Sequence, residues 1–115
     1  MTSSVQKWLE DMKTIWLEKK PDLIAAILAT KLEYYENPFE PPLTSIESVV
    51  SAWQGIKNQN IEYVEIEILH ESPEGIGTAI WKFKERNSTE HIGCYFLKLD
   101  KKGKCSYFRQ FWNSR

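Results

Sequence analysis

The apolar positions of this 115-residue chain change period once, and the change divides it into a helical half and a strand half. Val5, Trp8, Leu9, Met12, Ile15 and Trp16 recur at steps of three and four, with Glu10, Asp11, Lys13 and Glu18 between them. That stripe predicts an amphipathic helix. Ser3-Ser4-Val5-Gln6 reads as its capping box, Lys19-Lys20 suits its negative C-terminal end, and Pro21 stops it. Asp22 can cap a second helix, in which Leu23, Ile24, Ala26, Ile27 and Leu28 are apolar nearly all round and predict burial. Thr30 to Asn37 then reads as an extended, Tyr-rich segment, and Pro38, Pro41 and Pro42 make the next stretch a loop. Thr44-Ser45-Ile46-Glu47 is a second capping box, ahead of Ile46, Val49, Val50, Trp53 and Ile56 on one face of a third helix. Gly55 and the Asn58 to Asn60 stretch end it.

From Ile61 the period is two. Val64, Ile66 and Ile68 alternate with Glu65 and Glu67, and Ala79, Trp81 and Phe83 alternate with Ile80, Lys82 and Lys84. Two further strands run from about His91 to Leu99 and from Cys105 to Trp112. The turns are Ser72-Pro73-Glu74-Gly75, Arg86-Asn87-Ser88 and Asp100-Lys101-Lys102-Gly103. Three helices ahead of a four-stranded antiparallel meander predict an α+β layer with one sheet face under helical cover. A tight turn at Asp100 to Gly103 would pair Tyr95 with Phe108 and Gly93 with Gln110. One face then carries His91, Gly93, Tyr95, Leu97, Phe108, Gln110 and Trp112; the other carries Ile92, Cys94, Phe96, Tyr107, Arg109 and Phe111. Both faces are apolar and three short helices cover only one, so the outer face is expected to form a homodimer interface. The same register puts Cys94 opposite Arg109, out of reach of Cys105, and predicts free thiols.

One domain spanning 1–115 accommodates this length. Apolar residues at 42% with five Trp suit a deep core or a lined cavity, not disorder. A net charge of −1 gives no electrostatic reason to expect nucleic acid or an anionic membrane as partner. Two cysteines match no metal spacing, and no cofactor is implied. The first residues are polar where a signal peptide needs an apolar run, and Leu23 to Ala29 is far short of a membrane span. The expectation is a cytoplasmic protein.

The Trp-rich first helix, Tyr34-Tyr35-Glu36-Asn37-Pro38-Phe39, the helix ending in Trp53, and the closing Gly103-Lys104-Cys105 with Phe111-Trp112 occur in that order. The set resembles the nuclear transport factor 2-like (cystatin-like) superfamily, and within it the SnoaL-like, polyketide cyclase-like branch. The resemblance implies a single SnoaL-like domain: a cone-shaped, curved antiparallel sheet wrapped around N-terminal helices, with a pocket inside. Ketosteroid isomerases share the superfamily, and their catalytic base is an Asp before Pro-Phe. Here that residue is Asn37, which cannot take the proton. Their second acid falls at Tyr95, still a donor at neutral pH, and a supporting Tyr falls at Trp53. Their last-strand Trp falls at Trp112, and their main oxyanion Tyr has no counterpart before Pro21. Steroid isomerisation is therefore not expected. The Asp-Arg-Asp set of epoxide hydrolases of this fold has no inward Asp here.

Three readings remain open. In the first, the cone binds a small, apolar or mixed-polarity ligand, with Tyr35, Asn37, Trp53, Trp81, Phe108, Gln110 and Trp112 around it. In the second, His91 and Tyr95 are the acid–base couple of a lyase or isomerase; otherwise His91 is a rim residue and Tyr95 a core aromatic. In the third, the cavity is filled by its own aromatics and the dimer is an interaction module. Asn37 can also simply cap the Pro38 turn, and Glu33, sharing parity with Tyr35, is either an inward acid or a solvated edge carboxylate.

Overall fold

A computed structural model of the chain describes residues 4–37 and 39–114. Helix α1 is Ser4–Glu18, and its buried residues are the apolar stripe: Val5, Trp8, Leu9, Met12, Ile15 and Trp16. The N-cap expected at Ser3 lies outside the described residues. At the other end Lys19 adopts φ 56°, while Lys19 N bonds Trp16 O at 3.1 Å and Lys20 N bonds Ile15 O at 3.2 Å. This is a Schellman closure with lysine where glycine is usual.

The second helix differs from the expectation. Pro21–Ile27 is a 3₁₀ helix with Leu23 50% exposed, and the chain is already extended at Leu28. Asp22 caps nothing there; its carboxylate accepts from Gln54 Nε2 at 2.9 Å. Strand β1 is Leu28–Tyr35, earlier at both ends than the predicted segment. Helix α2, Ile46–Trp53, is capped by Ser45 and Ser48, each backbone N–H donating to the other's hydroxyl. The box is thus one residue beyond the Thr44 start, and a 3₁₀ turn, Gln54–Asn58, completes the third helix.

Strands β2 (Ile61–Glu71), β3 (Ile76–Glu85), β4 (Glu90–Leu99) and β5 (Cys105–Ser114) form the antiparallel meander. β1 adds to β5 in parallel, giving the order β1-β5-β4-β3-β2. The sheet is therefore mixed, a correction to the wholly antiparallel expectation. Parallel neighbours need a long crossover, and here everything between β1 and β5 supplies it.

The last hairpin also corrects the register. Leu99 pairs with Cys105, the register shifts next to Lys98, and Tyr95 then faces Gln110 with Gly93 facing Trp112. Cys94 faces Phe111, not Arg109. The loop is longer than supposed, with Asp100 N bonding Lys104 O at 2.8 Å. The displacement is two residues, so the two faces keep their memberships. Both cysteines are free, Cys94 exposed and Cys105 buried.

Helix α1 and the two 3₁₀ segments cover the inner sheet face, where Val64, Ala79, Trp81, Phe83, Tyr95, Leu97 and Phe108 are buried. A Cβ at Gly77 would sit 2.6 Å from Val5 Cγ1, so α1 settles onto the sheet where β3 has no side chain. A Cβ at Gly93 would sit 2.8 Å from Trp81 Nε1. The indole lies across the neighbouring strand because position 93 is glycine.

Candidate functional site

The inner residues of β1 are Leu32 and Tyr34, while Tyr35 turns outward, its ring under the Arg109 guanidinium at 3.9 Å and its hydroxyl on Glu33 at 3.0 Å. This corrects the placement of Tyr35 in the cavity wall. Pairing with β5 sets the parity of β1, and Tyr34 opposite Phe108 is what brings Tyr34 inside. The Tyr34 hydroxyl accepts from Trp53 Nε1 at 2.9 Å, tying β1 to the end of α2.

Phe108 is corrected too. It is 1% exposed and lies behind the cavity wall, stacked on Tyr34 with centroids 4.7 Å apart and tilted against Tyr95 at 4.8 Å. It is a spacer between two phenols. In front of them a cavity of about 240 Å³ opens between α2 and the sheet, lined by Tyr34, Trp53, Tyr95, Gln110, Trp16 and Gln59 among others.

This inner cavity meets a wider mouth of about 390 Å³, with Trp16, Glu36, Gln59 and Gln110 common to both. Asn37, Glu40, Trp81, Phe83, His91 and Trp112 complete the mouth. Trp16 contacts Trp53, Trp81 and Phe83 by ring edges or tilts, and Trp81 stacks on Tyr95 at 5.6 Å. The aromatic rings thus frame a space and do not close it.

The two compartments share Glu36, Gln59 and Gln110 and differ in their other polar groups. Inside, the Tyr95 hydroxyl has no hydrogen-bond partner among the described residues, although the residue is 3% exposed. Burial first, then the nearby Tyr34 oxygen, raises its pKa well above the usual phenol value. Burial does the same to Tyr34, against the lowering effect of its bond from Trp53. Both are donors at neutral pH. Gln59 Oε1 accepts from Trp16 Nε1 at 2.7 Å, and Gln110 Nε2 donates to the Glu36 carbonyl at 2.9 Å. Trp81 Nε1 is buried with no partner.

At the mouth, partial loss of water around its carboxyl, then repulsion from Glu40, raises the pKa of Glu36. Asn37 Oδ1 accepts from Phe39 N at 3.0 Å and Glu40 N bonds Asn37 O at 3.3 Å, so its side chain caps the turn. His91 stacks on Phe83, meets the edge of Trp112 and has Nδ1 2.8 Å from Ser114 Oγ. His91 lines the mouth and Tyr95 the inner cavity, so the two do not converge on one point.

Sequence reasoning missed Tyr34, Glu36, Trp16 and Gln59 as cavity residues. The pattern held one clue: Leu32 and Tyr34 form the apolar parity of β1, whereas Glu33 and Tyr35 do not. Nothing local marked Glu36, which is placed by the turn that Asn37 caps.

No protein-family model and no curated protein matches the sequence. Solved structures do match its shape. An epoxide hydrolase/cyclase-like enzyme with a role in pyran ring formation in the polyether salinomycin superposes with a TM-score of 0.79 at 11% identity, over 95% of this chain and 90% of that one. A computationally designed 17-OHP binder gives 0.76 at 14% identity, over 96% and 92%. A steroid delta-isomerase from Pseudomonas aeruginosa gives 0.74 at 10% identity, over 96% and 80%. At such identities the likeness is one of fold: three helical segments against a curved, open five-stranded sheet, the nuclear transport factor 2-like or cystatin-like α+β cone.

Proposed function

We propose that this chain binds a small organic molecule, apolar or of mixed polarity, in the cavity between α2 and the inner sheet face. The observation that carries the reading is the Tyr95 hydroxyl, on a side chain 3% exposed, which borders an unfilled aromatic cavity and has no partner among the described residues. A donor that borders the cavity and has no protein acceptor is free to bond a ligand oxygen. The fold hosts a designed small-molecule binder as well as enzymes, which is consistent with this use of the cone. The working unit in this reading is a cytoplasmic homodimer joined through the outer face, where Ile92 and Phe111 are exposed. No helix among the described residues is long and apolar enough to cross a membrane.

Native mass spectrometry of the freshly purified protein tests both parts. The expected result is a dimer carrying added small-molecule mass, lost in Tyr95→Phe. A bare monomer, with no added mass after incubation with a mixed library of small ketones and alcohols, would overturn the reading.

A second reading, a lyase or isomerase, is favoured by Glu36. Its carboxyl, raised in pKa, and the Tyr34 and Tyr95 donors line one cavity, as proton transfer beside a carbonyl requires. Asn37 leaves the isomerase base position empty of a carboxylate, and Glu36 sits one residue earlier. Deuterium exchange into an added ketone, abolished by Glu36→Gln, is the expected signature; exchange no faster than in buffer would remove the reading.

A further inference from the structure

The mouth and the inner cavity share Glu36 and differ in what else they offer a ligand. The mouth carries two carboxylates, Glu36 and Glu40, and neither Lys nor Arg lines it. No ion pair to either carboxylate is formed among the described residues. The rings of Trp16, Trp81, Phe83 and Trp112 border the same space, and of these Trp112, 49% exposed, is the ring left open to it. Aromatic faces with carboxylates beside them attract an organic ammonium, which gives up its water more readily than a small metal ion does. An anionic group there would meet two like charges.

The inner end sets donors beside Glu36. The Tyr95 hydroxyl, on a side chain 3% exposed, has no partner among the described residues. The Tyr34 oxygen is already occupied by Trp53, which leaves its own proton to give. These groups call for an uncharged acceptor such as a carbonyl or ether oxygen.

We propose that the ligand is an amphipathic amine, its ammonium held between Glu36, Glu40 and the exposed Trp112 ring at the mouth and its oxygen acceptor on Tyr95 inside. This rests on the pocket reading above and narrows it to one chemical class. A cation between the two carboxylates also relieves the repulsion that raises the Glu36 pKa.

The test uses three aryl ketones that share one acceptor and differ only at the para position. They are para-(aminomethyl)acetophenone, para-methylacetophenone and para-acetylbenzoate, each titrated into the wild-type protein by calorimetry at neutral pH. The ammonium probe is expected to bind about tenfold more tightly than the neutral one, and the carboxylate probe more weakly than either. In the Glu36→Gln/Glu40→Gln variant the preference for the amine should fall to near unity, and Tyr95→Phe should weaken all three probes alike. If the neutral probe binds as tightly as the amine in wild-type protein, the amine assignment fails while the pocket stands. If none of the three binds, the pocket reading falls with it. The wild-type comparison decides these outcomes without relying on a variant that folds.

Discussion

Replacing Phe108 with leucine separates a ligand-contacting residue from a spacer, because the two roles differ in what the substitution costs. Phe108 is 1% exposed, and its ring meets Tyr34 at 4.7 Å, Tyr95 at 4.8 Å and Trp8 at 5.7 Å. Leucine keeps most of the volume, and swaps of that kind cost under about 1.5 kcal/mol in themselves. Each aromatic pair adds about 0.5–1.5 kcal/mol beyond area burial. Three pairs sharing one ring do not add in full, so the total loss should be about 2–3 kcal/mol. With a urea slope of about 1–3 kcal/mol/M, the unfolding midpoint should fall by roughly 0.7–3 M with the slope unchanged. Phe39, 95% exposed, is the control, and Phe39→Leu should stay within about 0.5 kcal/mol of wild type. Equilibrium urea unfolding followed by tryptophan fluorescence reads both. A Phe108→Leu loss below about 1 kcal/mol, or one no larger than the Phe39 control, would refute the spacer assignment.

Two other expectations follow from the same wall. The Trp53–Tyr34 hydrogen bond should show as a coupling of about 1 kcal/mol in a cycle of Trp53→Phe, Tyr34→Phe and the double variant; coupling near zero in urea unfolding would mean the bond is not made. Burial pushes the Cys105 thiol up to about 12, against lowering bonds from the Tyr107 and Lys98 backbone, so the unfolded chain loses this proton first. The stability it contributes is full below about pH 8.5 and is lost as pH rises towards the folded value. Cys105→Ala should therefore flatten the fall in stability between about pH 8 and 10, before the buried tyrosines begin to contribute. In native protein Cys105 should stay protected from a thiol reagent, and equal slopes or two fast thiols would contradict its burial.

What depends on side-chain period is legible without any tertiary contact. The α1 stripe from Val5 to Trp16 is buried residue for residue, because only a 3.6-residue repeat puts those positions on one face. The face memberships of β4 and β5 were legible even though the register was displaced, since a two-residue slip leaves a two-residue alternation intact. The absence of a carboxylate at position 37 was also plain.

What depends on partners comes from the packing of distant elements. Leu23 to Leu28 is apolar enough for a helix, but pairing of β1 with β5 draws Leu28 into the sheet and leaves only a 3₁₀ turn before it. The same pairing chooses Tyr34 over Tyr35 for the cavity and puts Phe108 behind it. Glu36 reaches the mouth through the turn that Asn37 caps and the carbonyl that Gln110 holds. A cavity is made by contacts between residues far apart in the chain. Local period reports which face a side chain takes, and the packing of distant elements settles which faces meet and what space is left between them.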